Sequence, residues 1–317
     1  MSSPSTHGSP LWMDGGVATE LQRAGLVMSP PWWTTSALLT EQKRQVLRGV
    51  HERYLAAGAQ VITANTFRCN LRALRAAGLD AAGLSWMVHT AVGVALAARN
   101  EAGDARTQIV GSMAPVEDCY RPDLVPPDDE LRAEHRWLAT ELTRAGVDVV
   151  LIETMNSLQE ARIALEQVLA TGGRAWVSFV CTGGARLLSG QRLADAAGAV
   201  DSDGADAVLI NCTPLAPTEE CLRVLRSACS GPIGAYPNIE NRTGIPHQAH
   251  VNSPLPAAVE PDEFAYHLLR WHDELGATML GGCCGTTPPH IAALHHRYSS
   301  TLRTKIHRDK SSQLTPR

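Results

Sequence analysis

The chain has 317 residues, 44% of them hydrophobic and 19% charged, a balance that supplies a sizeable apolar core and excludes an intrinsically disordered or fibrous chain. Its net charge of −4 excludes the basic stripe that grips phosphate backbones, so small molecules rather than nucleic acid are the expected partners. Eight cysteines fall far below the density of a disulfide scaffold, and MSSPSTHGSP at the start has neither a basic nor an apolar run; the expectation is a cytoplasmic protein, not bound to membrane, with reduced thiols free to ligate metal.

Residues 1–10 are expected to be a flexible N-terminus. LWMD (11–14) then opens a series of short apolar runs, with helical periodicity over 41–58 before AQVITAN (59–65). An Ala-rich stretch at 84–102 separates this from TQIVGSM (107–113), and 128–146 leads to VDVVLIE (147–153). After the helical segment 157–173 come RAWVSFV (174–180) and ADAVLIN (205–211); 217–229 leads to PIGAYPN (232–238), and 262–276 to ATMLGG (277–282). Continuous apolar strands alternating with amphipathic helices imply a parallel sheet covered by helices, and eight such units predict a single-domain (β/α)8 TIM barrel over 11–298. An open doubly wound sheet is the alternative. Two long irregular connections, 114–127 and 239–260, follow strands three and seven and are candidate walls or lids. The polar, basic segment 299–317 is expected to be a flexible tail.

Barrel active sites are built where strands end at their C-terminal side, so the strand ends carry the functional reading. Strand one ends at Asp14-Gly15-Gly16, strand two at Asn65-Thr66, strand four at Glu153-Thr154, strand six at Asn211-Cys212 and strand eight at Gly281-Gly282-Cys283-Cys284-Gly285. Cys212, Cys283 and Cys284 are the candidate metal ligands: three thiolates make three corners of a zinc tetrahedron and leave one for a substrate thiol, which zinc keeps deprotonated. Vicinal cysteines are also common as small buried hydrophobes; their place on strand ends favours the metal. Cys69, Cys119, Cys221 and Cys229 take the buried reading, with Cys181 the spare candidate.

Asp14 and Glu153 suit an α-ammonium group, and backbone N–H groups at Gly15, Gly16 and Thr66 suit an α-carboxylate. Asn211 is grouped with them as a pocket residue. Trp32 and Trp33, in PPWWTT, either cap the core or offer an indole face to a cationic methyl donor. No H-E-x-x-H occurs, which argues against a zinc hydrolase; a non-catalytic thiolate metal-binding protein is the remaining rival.

With DGGVATEL, ITANTF, IET, INC and GGCCGTTPPHI in this order, the chain resembles the zinc-dependent homocysteine S-methyltransferase family over about 11–295. The resemblance implies Cys212, Cys283 and Cys284 as zinc ligands, Glu153 at the homocysteine amino group, Asp14 and Thr66 in the same pocket, and methionine as product. No protein general base is required for the transfer. The chain ends soon after the barrel, so a small donor, S-methylmethionine or S-adenosylmethionine, is favoured over betaine or a separate corrinoid protein. Oligomeric state is left open.

Overall fold

The structure, a computed structural model, describes residues 8–245 and 253–312. Eight parallel strands run in sequence order: β1 (Leu11–Trp12), β2 (Val61–Ala64), β3 (Gln108–Met113), β4 (Val149–Met155), β5 (Ala175–Phe179), β6 (Ala207–Pro214), β7 (Ile233–Asn238) and β8 (Met279–Leu280). Each pairs with the next. β8 returns to β1 through Leu11↔Met279 and Trp12↔Leu280, and a bridge between Met13 and Val61 joins β1 to β2. The ring closes, as the eightfold alternation in sequence predicts, and the open-sheet alternative is set aside.

Helices cover the outside: α1 (Val17–Arg23), α2 (Glu41–Ala56), α3 (Leu71–Ala76), α4 (Ala81–Ala102), α5 (Asp128–Ala145), α6 (Leu158–Ala170), α7 (Leu193–Ser202), α8 (Leu215–Ala228), α9 (Pro261–Leu275) and α10 (Pro288–Ser312). Their ends follow local chemistry. Thr40, Asn70, Asp80 and Ser157 accept N-cap hydrogen bonds from the third residue onward, and Gly103, Gly146 and Gly276 close α4, α5 and α9 in the left-handed conformation. α4 is long and apolar enough to cross a membrane by length and composition. Here its Leu84, Val88, Ala91 and Ala95 stripe is buried, and it packs on α2, α5, β2 and β3 as a barrel helix. The stretch from 299, expected to be a flexible tail, is helical as far as Ser312, because nothing between Ala292 and Ser312 is a Gly or Pro that would stop α10. Residues 1–7 and 313–317 lie outside the described residues, as does 246–252 of the second long connection.

The barrel interior is filled by Met13, Val61, Val110, Val149, Leu151, Trp176, Ala207, Leu209, Tyr236 and Met279, drawn from all eight strands or their immediate ends. Side chains alternate along a strand with period two. Two residues beyond an inward apolar residue therefore points inward again, one layer nearer the C-terminal mouth. That rule takes Val61 to Thr63, Val110 to Ser112, Leu151 to Glu153, Trp176 to Ser178 and Leu209 to Asn211. A polar layer thus sits directly above an apolar plug.

Candidate active site

Thr63, Ser112 and Glu153 of the polar layer line a cavity of about 350 Å³ at the mouth, into which Asp14, Gly15, Cys212, Cys283 and Cys284 also open. Glu153 accepts hydrogen bonds from the Ser112 hydroxyl, from the Tyr236 hydroxyl at 3.1 Å and from Asn211 Nδ2 at 3.4 Å. Asp14 accepts from the backbone N–H of Thr63 at 2.7 Å and from its hydroxyl at 2.9 Å. Burial nevertheless dominates, and pushes both carboxyls up to about 7. Each is poised to ionise when a cation replaces the lost water.

Cys212 reaches the mouth through a break in the strand. Asn211 points inward, so regular alternation would send Cys212 outward toward the helices. Instead Cys212 adopts φ 50°, the β6–β7 register shifts between Asn211 and Pro214, and Cys212 Sγ lies 2.8 Å from Cys283 Sγ. A left-handed non-glycine residue costs on the order of 1–3 kcal/mol and is held only by its surroundings. Thr154, which follows Glu153, makes the same departure at φ 60°, again with a register shift. Asn211 ties the two breaks together: its Oδ1 accepts from the Thr154 N–H at 3.0 Å and from Ser178 Oγ at 2.8 Å, and its Nδ2 donates to Thr154 Oγ1 at 2.7 Å.

The loop after β8 brings the other two thiols. Cys283 N–H donates to the Pro237 carbonyl at 2.9 Å, the Cys284 carbonyl accepts from Ile239 N–H at 2.9 Å, and Gly285 N–H donates to Thr19 Oγ1 at 3.0 Å. Glycine is required at two points here. A Cβ on Gly16 would stand 2.7 Å from the Cys283 carbonyl, and Gly285, at φ 81°, would place one 2.7 Å from the Glu240 nitrogen. Cys283 and Cys284 Sγ are 3.8 Å apart, and all three sulfurs lie within 4.8 Å of one another. Contacts from Cys212 and Cys283 draw the Cys284 thiol well below its ordinary range, while the same shared hydrogen bonding pushes Cys283 up. Three converging soft donors, with Cys212–Cys283 and Cys283–Cys284 sulfur separations of 2.8 and 3.8 Å, suit a soft divalent metal ion; no fourth ligand joins them among the described residues.

The expected site residues divide in two. Asp14, Gly15, Glu153, Trp33 and the three cysteines line the cavity; Thr66, Asn211 and Trp32 do not. Thr66 is fully buried, with its hydroxyl donating to the Ser112 carbonyl at 2.8 Å and its N–H to the Ala64 carbonyl, so that N–H is not available to a carboxylate. The Gly16 N–H is likewise taken, by the Thr286 carbonyl. Asn211 braces Glu153 and Thr154 from behind, and Trp32 packs on the core. Cys181 lies against Cys221, which with burial raises its thiol, and is no part of the trio. Cys119, given a buried reading, is buried yet contributes to the cavity wall, along with Tyr120.

Several wall residues were not anticipated. Ser112 and Thr63 follow from the period-two rule above, which was available in the sequence. Tyr236, Arg68, Glu240 and Arg242 carried no such signal; the last two belong to the connection after β7, which does form a wall, as the connection after β3 does through Cys119 and Tyr120.

Comparison with known proteins agrees with this geometry. The family profile described as Homocysteine S-methyltransferase matches residues 11–298. Homocysteine S-methyltransferase YbgG of Bacillus subtilis is 29% identical over 296 residues, covering 88% of this chain and 91% of the relative. Selenocysteine Se-methyltransferase of Brassica oleracea var. italica is 27% identical, covering 91% and 88%. The solved structure of the homocysteine methyltransferase MmuM from Escherichia coli, in its metallated form, superposes with a TM-score of 0.78 at 28% identity, covering 92% of this chain and 96% of that one. A match spanning the whole barrel, together with strand-end thiols and carboxyls gathered at one mouth, places this chain in the homocysteine S-methyltransferase family.

Proposed function

We propose that Cys212, Cys283 and Cys284 hold a zinc ion, that the buried carboxyls of Asp14 and Glu153 receive the ammonium group of homocysteine, and that the methyl donor is a small sulfonium, S-methylmethionine or S-adenosylmethionine. The transfer itself belongs to the family: the chain is a methyltransferase that moves a methyl group to homocysteine and gives methionine. The observation that carries the assignment of residues is the meeting of three thiols, within 4.8 Å, with two buried carboxyls in one cavity.

When bound, zinc supplies the Lewis acidity that keeps a substrate thiol deprotonated near neutral pH, where a free thiol of pKa about 8.5 is mostly protonated. The protein's own residues do the rest. Ser112, Tyr236 and Asn211 fix the Glu153 carboxyl, and Thr63 fixes Asp14, so the ammonium meets preset acceptors. Gly15 lines the same pocket, and its N–H suits the homocysteine carboxylate. Trp33, Phe67 and Tyr120 line the same cavity and offer aromatic surface to a sulfonium donor. As the new carbon–sulfur bond to homocysteine forms, the methyl–sulfur bond of the sulfonium breaks and its electron pair stays on the departing thioether. No protein base takes part in that step.

The test incubates the metal-loaded chain with homocysteine and each donor separately, with mass detection of methionine. Methionine from a sulfonium, and loss of both bound zinc and turnover in Cys283→Ser, are the expected results; full activity of Cys283→Ser would refute the assignment.

A further inference from the structure

The cavity wall carries a third kind of chemistry beside the carboxyls and the thiols: Arg68, with Trp33 and Phe67. Arg68, three residues beyond the end of the β2 turn at Asn65, lies with its guanidinium carbon 5.5 Å from the centre of the Trp33 ring and 5.3 Å from that of Phe67. Two aromatic faces hold a long side chain that would otherwise be free to rotate, so its planar fork is set before a ligand arrives. No carboxylate lies within salt-bridge distance of Arg68 among the described residues, whereas Arg242, the other arginine of the wall, is 3.4 Å from Glu240. Asp14 and Glu153 are engaged by Thr63, Ser112, Tyr236 and Asn211, so neither ammonium acceptor neutralises the Arg68 guanidinium.

An orderly guanidinium facing a small-molecule cavity is a carboxylate receptor. We propose that Arg68 is the residue that selects the methyl donor, by binding a carboxylate carried on the donor itself. The inference rests on the sulfonium-donor reading above and adds the group on the donor that is recognised. It also gives Trp33 and Phe67 a second task, that of presenting Arg68.

The test compares S-methylmethionine with its carboxamide, which keeps the sulfonium and removes the negative charge, at saturating homocysteine and with the full metal-loaded chain. Wild type is expected to favour the acid over the amide in kcat/KM on the order of tenfold to a hundredfold, the range of a hydrogen bond to a charged group. Arg68→Gln should bring that ratio near one, through KM for the acid, with KM for homocysteine unchanged; Arg68→Lys, which keeps the charge and loses the fork, should fall between. A wild type that uses acid and amide equally, or an Arg68→Gln variant whose homocysteine KM rises instead, overturns the assignment of Arg68 while leaving the methyltransferase reading intact. If wild type makes no methionine from S-methylmethionine or from S-adenosylmethionine, the donor reading fails and takes this inference with it.

Discussion

At the scale of single residues, Glu153 and Asp14 set the pH behaviour. Both are carboxyls whose native pKa, about 7, lies above the ordinary value because burial removes water from the charged form. Between roughly pH 4.5 and 7 the native state holds protons that the unfolded state has released, so their contribution to stability falls as pH rises through that window and levels off above it. An ammonium group reverses the preference and draws both toward carboxylate. Homocysteine binding near pH 6 should therefore release protons, measurable by calorimetry in buffers of different ionisation enthalpy, and its affinity should weaken as pH falls below 7. Glu153→Gln should lower kcat/KM for homocysteine on the order of tenfold to a hundredfold, since a charged hydrogen bond contributes about 1.5–3 kcal/mol, and should shrink the proton release. Unchanged release in that variant would remove Glu153 from the ammonium site.

Asn211 shows why a supporting residue differs from one on the wall. Replacing it by Ala strands the Thr154 N–H and the Ser178 hydroxyl in a buried layer, an expected cost of about 1–3 kcal/mol in denaturant unfolding. The same change frees Glu153 on one side, so activity should fall with little change in bound metal. The strand-six motif INC was legible in the sequence, but not that Asn would brace and Cys would ligate. That division depends on the left-handed turn at Cys212, which pairwise contacts across strands impose.

At the scale of elements, the mouth is assembled by loops that touch without side chains between them. The loop after β1 and the loop after β8 meet where Gly16 passes the Cys283 carbonyl. Gly16→Ala should push the two loops apart and weaken metal retention, read as faster zinc loss to a chelator, while far-ultraviolet circular dichroism stays that of wild type. Retention equal to wild type would show that the loops relax around the methyl. The connection after β3 is pinned differently: Glu160 of α6 accepts from the Val116 N–H at 2.7 Å and pairs with His135 Nε2 at 3.1 Å, both partners being buried. That pin holds the segment carrying Cys119 and Tyr120 against the cavity. The sequence marked this connection as a wall by its length and composition; the pin is invisible there because His135 and Glu160 sit on different helices.

Across the whole molecule, the metal is expected to act as a staple between strands six and eight, which are 71 residues apart at Cys212 and Cys283. An ion that binds the native state and not the unfolded one adds stability by mass action, about 2.7 kcal/mol at a hundredfold excess over its dissociation constant. Chelation should lower the melting temperature, and the triple replacement of Cys212, Cys283 and Cys284 by Ser should abolish that metal-dependent difference. A melting temperature indifferent to zinc in wild type would count against the staple.

The sequence by itself determined the barrel, because eight apolar runs separated by amphipathic helices leave few other ways to bury both faces of a parallel sheet. It also determined which strand ends carry reactive groups, since chain order and the barrel rule place them at one mouth. Only the tertiary structure decided which of those groups face the cavity. Thr66 and Asn211 turn to satisfy buried neighbours, Cys212 turns into the mouth through a left-handed backbone, and Tyr236 and Arg68 enter from positions with no local mark. The reason is physical: period two fixes a side chain's face only while the strand stays regular, and regularity fails at the C-terminal ends, where cross-strand hydrogen bonds and close backbone approach take over.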